Sequence, residues 1–343
     1  MNPIRTKLHI SNSPVVGGRK ITATGISPLL GPIAKWHTSI LATAAAILCL
    51  LGDSARADMI IAGYTDVAND RFTNDQAFIM ASFDLSGVGR TAGSRWATAI
   101  SRNVIISATH YPPSGTVSFY TSNDPTTAPV TRDIVSTMAI VGTDLFLGVL
   151  GQNLPAAITH YAFAMEALSG RPATNTAIFL ENAGSYQDAN AYSFGLSTYD
   201  VGSDPNRSTM NDQAVGRNRV SAYSENVAFN ANLDNDSLLF LQDAAGAAGF
   251  VTHEAGFKVG DSGAPTFVDV EGNLVLLGTN AFTLSDDPVT FTYNGINYTG
   301  NQAATIQGFI NTSAVPEASS HLSMALVLLL MTARRRPNSR DLS

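Results

Sequence analysis

Cysteine is all but missing from the chain, with Cys49 as its one example. A single thiol closes no internal disulfide and builds no multi-cysteine metal site, so neither device is expected to hold this protein together. The six histidines are scattered without ligand spacing, and we expect neither a metal nor a cofactor. Lysine is nearly as scarce: between residues 58 and 333 only Lys258 occurs. That stretch carries 10 basic against 25 acidic side chains, a net charge of −15. It repels phosphate backbones, which argues against nucleic acid as a partner. Long amphipathic helical runs and internal repeats are lacking too. What remains is a 343-residue chain, 45% hydrophobic, rich in Gly, Thr, Ser, Asn and Val and broken into short apolar runs. Such a chain buries a sizeable core and points to an all-β protein.

Both ends read as addresses. Residues 1–57 hold six Lys/Arg against one Asp, and Ser39–Leu51 is a 13-residue apolar run followed by Ala55-Arg56-Ala57. This is the layout of a leader and secretory signal, with Asp58 as the new N-terminus. Cys49 would leave with it. At the other end, Val315-Pro316-Glu317-Ala318 precedes the 12-residue apolar run Leu322–Ala333 and then Arg334-Arg335-Arg336. The arrangement resembles the bacterial PEP-CTERM sorting signal, although Ala318 replaces the second proline and the run is short for a membrane span. The resemblance implies an exosortase-type processing enzyme as partner, transient membrane contact through the tail and a cut near Pro316. An uncut, weakly anchoring tail is the alternative. Either way, export to the cell surface, extracellular matrix or medium is expected.

The rest of the chain is organised around Gly260-Asp261-Ser262-Gly263-Ala264-Pro265. Two glycines flanking one serine let the backbone turn sharply with its amides pointing the same way. A serine hydroxyl held outward beside such a pocket for negative charge is what acyl transfer requires. The stretch resembles the Gly-Asp-Ser-Gly-Gly-Pro of the chymotrypsin-like serine proteases in five of six residues.

Upstream, the buried run Val104–Ile106 leads into Ser107-Ala108-Thr109-His110, similar to the family's Thr-Ala-Ala-His, with Tyr111 where a cysteine usually stands. Thr143-Asp144-Leu145-Phe146-Leu147 resembles the family's aspartate-bearing strand, and its apolar run supplies the shielding that an orienting carboxylate needs. Asp133 is the competing carboxylate. The order His110, Asp144, Ser262, with gaps of 34 and 118 residues, differs from the orders of subtilisin-like and α/β-hydrolase enzymes.

The resemblance spans roughly residues 60–312. It implies two six-stranded antiparallel β-barrels with the active site between them, an N-terminal barrel over 58–170 and a C-terminal one over 171–312, with the sorting tail at 313–343. It further implies a serine endopeptidase: Ser262 as nucleophile, His110 as base, Asp144 orienting it, and the amides of Gly260 and Ser262 as oxyanion hole. Gly256 falls at the base of the specificity pocket, and Gly278, Thr279, Asn280, Ala281 and Phe282 resemble the strand that pairs with a protein or peptide substrate. Ile60-Ile61-Ala62-Gly63 looks like the family's activated N-terminus, whose freed amine pairs with the aspartate before the nucleophile, here Asp261. A plain first strand is the simpler reading. A catalytically inactive binding or surface module on the same fold, a structural matrix component and an esterase are the alternatives.

Four local readings complete the expectation. Phe78–Phe83 and Arg95–Thr98 read as strands joined by a glycine-rich turn over Ser86–Gly93. Ser169–Thr174 reads as the inter-lobe linker. Ala177–Leu180 reads as the opening strand of the second barrel. The polar cluster Asn230–Asp236 offers oxygen ligands for calcium but lacks a spaced loop signature, and reads as solvated turns.

Overall fold

In the computed structural model, residues 58–174, 178–197, 207–230, 233–287 and 291–313 are described. The stretch expected to be a signal segment, and the expected sorting tail beyond residue 313, lie outside them. The described chain opens with a two-residue strand, β1 (Ile60–Ile61), and a single helical turn, α1 (Asp66–Asn69). Thr65 caps that turn, its hydroxyl accepting from the Ala68 amide at 3.2 Å; this satisfies an N–H that has no partner within the helix.

The first barrel takes β2 (Val88–Thr91), β3 (Trp96–Ala99), β4 (Val104–Ala108), β5 (Thr116–Phe119), β6 (Val130–Ala139) and β7 (Leu145–Leu150). Their spatial order is β2-β3-β4-β7-β6-β5, closed by the pairing of β5 with β2. The β-branched and large apolar residues of β4 and β7 suit strands buried on both faces, and all of β4 is buried. A short strand, β8 (Ala162–Phe163), then starts the crossing to the second barrel by running parallel to Val275–Leu276.

The second barrel is built from β9 (Asn190–Gly195), β10 (Ala214–Asn230), β11 (Leu233–Gln242), β13 (Pro265–Val270), β14 (Asn273–Asp287) and β15 (Phe291–Tyr298). They run in the order β13-β9-β10-β11-β15-β14, and the pairing of β13 with β14 closes the circle. Between β11 and β13, the pair β12 (Ala255–Gly256) bonds to β1. The fold is therefore the chymotrypsin-like double barrel, all-β, with two closed six-stranded antiparallel barrels. Closure removes the open edges that would otherwise invite pairing with other chains. A ten-residue helix, α2 (Ala303–Thr312), ends the described chain. No helix among the described residues is long and apolar enough to cross a membrane.

Each barrel has its own apolar interior, Ile105, Val117, Phe119 and Leu150 in the first, and Val220, Leu238, Phe240 and Ile296 in the second. A third core joins them: Trp96, Ile106 and Leu147 meet Phe194, Leu196 and Phe267, and α2 adds Ile306. Each such side chain, fully buried, contributes about 1.5–3 kcal/mol. The barrels are thus cemented along the seam where the candidate site lies.

Four local expectations are corrected. Phe78–Phe83 is a run of turns, with Ala81 N donating to Phe78 O at 2.9 Å and Phe83 N to Met80 O at 3.0 Å; the turns bury Phe78 and Met80 without any strand. The middle of the glycine-rich stretch after it, Val88–Thr91, is strand β2, where Gly89 lies against the Phe119 ring and a side chain would collide. Of the expected strand Ala177–Leu180, Ala177 lies outside the described residues and Ile178–Leu180 is irregular and outside the sheet; the second barrel opens at β9. Asn235 is no solvated turn residue but sits in β11 with 1% exposure.

Candidate active site

The antiparallel register Ala108↔Leu145 sets the end of β4 beside the start of β7. His110, two residues past β4, and Asp144, one residue before β7, are thereby brought together from 34 residues apart. The His110 amide donates to Asp144 Oδ1 at 2.7 Å, and His110 Nδ1 lies 2.6 Å from Asp144 Oδ2. An ionised carboxylate accepts only, so Nδ1 carries the hydrogen and Nε2 is the basic nitrogen of the neutral ring. Asp144 is fully buried, while the imidazole keeps 19% of its surface. Asp133, by contrast, lies on the exposed strand β6 and accepts from Thr116 Oγ1.

Two asparagines of the second barrel complete the setting, and neither belongs to the motifs. Asn297 Nδ2 donates to Asp144 Oδ2 at 3.0 Å, and Asn235 Oδ1 accepts from the Asp144 amide at 2.8 Å. The Asp144 carboxylate therefore takes three hydrogen bonds in a buried setting. Three donors replace the hydrogen bonds to water that the carboxylate loses on burial. In sequence, Asn235 falls in the cluster read as solvated turns, and no local reading singles out Asn297. The only signal for them was a polar side chain interrupting apolar strand positions.

Ser262 lies on two consecutive tight turns: the Asp261 amide donates to Lys258 O and the Ala264 amide to Asp261 O, both at 3.0 Å. Gly260 has φ +103° and Gly263 φ +82°, a region that favours glycine. Ser262 is half-buried between fully enclosed neighbours. Gly263 packs on the end of β4, where an added Cβ would stand 3.1 Å from Ala108 N and against Ser107 Oγ. The serine's turn, from the second barrel, thus abuts the strand end that delivers His110 from the first.

Asp261 points inward. Its Oδ1 accepts from Leu196 N at 2.8 Å and its Oδ2 from Lys258 N at 2.7 Å, and burial pushes its pKa up to about 8. Ile60 occupies strand β1, paired with Gly256, and is 48% exposed. The plain first-strand reading of that segment is the one seen.

The remaining expected residues divide. Gly256 is buried beneath the Gln242 carboxamide, whose Nε2 would stand 2.7 Å from an added Cβ. Gly278 and Thr279 pair with β13 on one side and β15 on the other. Asn280 is closed off as well, its carbonyl taken by Gly263 N at 2.9 Å and its amide by Ala264 O at 2.8 Å. These three are barrel wall, with both backbone edges occupied, so they offer no edge to an extended ligand. Ala281 lies at the register shift that follows Asn280, and from Phe282 onward β14 is in register with β15 alone.

No family model matches the chain, and no curated protein matches it. The chemistry must therefore be read from geometry. A buried carboxylate orients an imidazole at the barrel seam, and a serine-bearing turn with glycines at both flanks packs against the same strand end. Such an arrangement suits proton transfer at a nucleophilic hydroxyl. Among the described residues, no group of three or more His, Cys, Asp or Glu is placed to hold a metal ion.

Proposed function

We propose that this protein is a secreted serine endopeptidase. The observation that carries the reading is the His110–Asp144 pair, with Nδ1 2.6 Å from the carboxylate, at the strand end against which the Ser262 turn packs. In this reading Ser262 Oγ attacks a peptide carbonyl and gives its proton to His110 Nε2. Asp144 stabilises the resulting imidazolium without itself taking the proton. The oxyanion is received by the amides of Gly260 and Ser262, each donor worth about 3 kcal/mol of transition-state stabilisation in enzymes of this kind. His110 then protonates the leaving amine, and water, activated by the same imidazole, releases the acyl group from Ser262. The residues suffice without a cofactor.

Peptides are favoured over other acyl compounds by the β14 edge beginning at Ala281, along which an extended chain can add main-chain hydrogen bonds. At the pocket base, Gly256 and Gln242 bring no negative charge, so a lysine or arginine side chain would lack a counter-charge there. Small or uncharged side chains fit this better. For location, the signal-like leader and the sorting tail support export, with an exosortase-type enzyme acting on the tail. N-terminal sequencing of the exported protein should begin at Asp58, and mass analysis should place its C-terminus near Pro316.

The deciding experiment is labelling with a fluorophosphonate probe, with Ser262→Ala and His110→Ala as controls. Labelling of the wild type that disappears in Ser262→Ala supports an activated serine. Silence of a folded wild type would overturn the reading and leave a binding module on a protease fold.

A further inference from the structure

The Gly260 carbonyl reaches across the seam between the barrels and accepts from Trp96 Nε1 at 3.0 Å. The turn's other hydrogen bonds, to Lys258, Leu196 and Asn280, are made within its own barrel. The Gly260–Asp261 peptide is pinned at both ends, its oxygen by Trp96 and its N–H by Lys258 O. The preceding residue, Val259, is 79% exposed and lends no packing. A glycine at φ +103° rotates more readily than any other residue. Without the indole, the Gly260–Asp261 peptide would have one anchor where it now has two.

Trp96 is itself fixed. It is fully buried in β3, directly opposite Arg90 in the β2–β3 register. The Arg90 guanidinium covers its ring at 4.6 Å and is ion-paired with Asp212 Oδ2 at 3.7 Å, both side chains fully buried. Asp212 Oδ1 accepts from Ser197 N at 2.9 Å, and the neighbouring Leu196 amide is the one that holds Asp261. The contacts form a closed circuit: Gly260, Trp96, Arg90, Asp212, Ser197 with Leu196, and Asp261 back to Gly260. Burying a charged pair is costly, and an apolar filler would pack this seam as well. What the pair does supply is a fixed plane and direction for the indole N–H.

We propose that Trp96 is a positioning residue for the Gly260–Ser262 turn. Its indole N–H, clamped by the Arg90–Asp212 pair, fixes the Gly260 carbonyl and with it the amides that would receive an oxyanion. The catalytic half of this inference rests on the hydrolase reading above; the structural half stands without it.

The test uses the full exported chain with two substitutions. Trp96→Phe removes the N–H and some volume, whereas Trp96→benzothienylalanine replaces the N–H by sulfur in the same shape. Amide hydrogen exchange of residues 257–265 and the kinetics of fluorophosphonate labelling are followed together. In both variants, exchange across 257–265 should quicken about tenfold, as expected for one lost buried hydrogen bond, while protection of β3 and β4 is unchanged. The maximal labelling rate should fall by about tenfold or more with little change in the half-saturating probe concentration. Wild-type exchange and labelling in the benzothienylalanine variant would overturn the proposal, even if Trp96→Phe fails to fold. A wild type that takes no label would sink the hydrolase reading, yet the exchange comparison would still decide whether Trp96 holds the turn.

Discussion

Asp144 is where both barrels meet on one side chain: His110 binds it twice from the first, and Asn297 reaches its carboxylate from the second. The Asn297 donor matters to the charge it faces, while its own Oδ1 is buried without a partner. Folding therefore gains little from this asparagine, and the orientation of the carboxylate gains more. We expect Asn297→Ala to slow probe labelling by roughly 10- to 100-fold, as for a hydrogen bond to a charged group. Its melting temperature should change by only a few degrees. A variant that labels at the wild-type rate would show that His110 alone orients the carboxylate. The motif residues His110, Asp144 and Ser262 could be named from sequence because each stands in a distinctive local string. Asn235 and Asn297 could not, since a polar residue in a strand declares neither its face nor its partner.

At the scale of elements, the segment from Glu254 to β13 combines tight turns with buried carboxyl groups. Asp261 is fully buried with its pKa pushed up to about 8, and Glu254, 1% exposed, is pushed up to about 7, in both cases chiefly by burial. A folded-state pKa above the unfolded one means that the native protein binds the proton more tightly. The stability these groups contribute is complete below pH about 4 and is lost as pH rises through about 7 for Glu254 and about 8 for Asp261. Urea titrations from pH 5 to pH 9 should show this decline. Asp261→Asn, which keeps the acceptor for one amide and cannot ionise, should flatten the upper part of it. An undiminished decline in that variant would place the titrating group elsewhere. Strand β14 shows what register adds to a motif. From sequence, residues 278–282 formed one substrate-lining unit, but pairing on both sides uses up Gly278–Asn280 and leaves Ala281 and Phe282 at the border. The bonds of Gly263 and Ala264 to Asn280 decide that division, and no local pattern announces it.

Across the molecule, the seam between the barrels is a continuous core from Trp96 and Ile106 to Phe194 and Phe267. The buried Arg90–Asp212 pair crosses it too, so one barrel cannot open without stripping partners from the other. Thermal unfolding should therefore be a single transition, with calorimetric and van't Hoff enthalpies in agreement. Two resolved transitions would show the barrels to be independent. Fragments 58–170 and 171–312 expressed separately should take no probe, since His110 and Ser262 would be on different molecules.

The composition and short apolar runs of this sequence determined an all-β chain. Its local strings placed a serine turn, a histidine after a strand and an aspartate before one, because strand propensity and glycine turns act within a few residues. Tertiary structure alone decided which polar groups face one another across the seam. It put Asn297 and Asn235 on Asp144, the Trp96 indole on Gly260, and Arg90 on Asp212. Each of these contacts joins segments 91 or more residues apart. Barrel closure and the packing of one barrel on the other make such contacts, and neither is written in any short stretch of the chain.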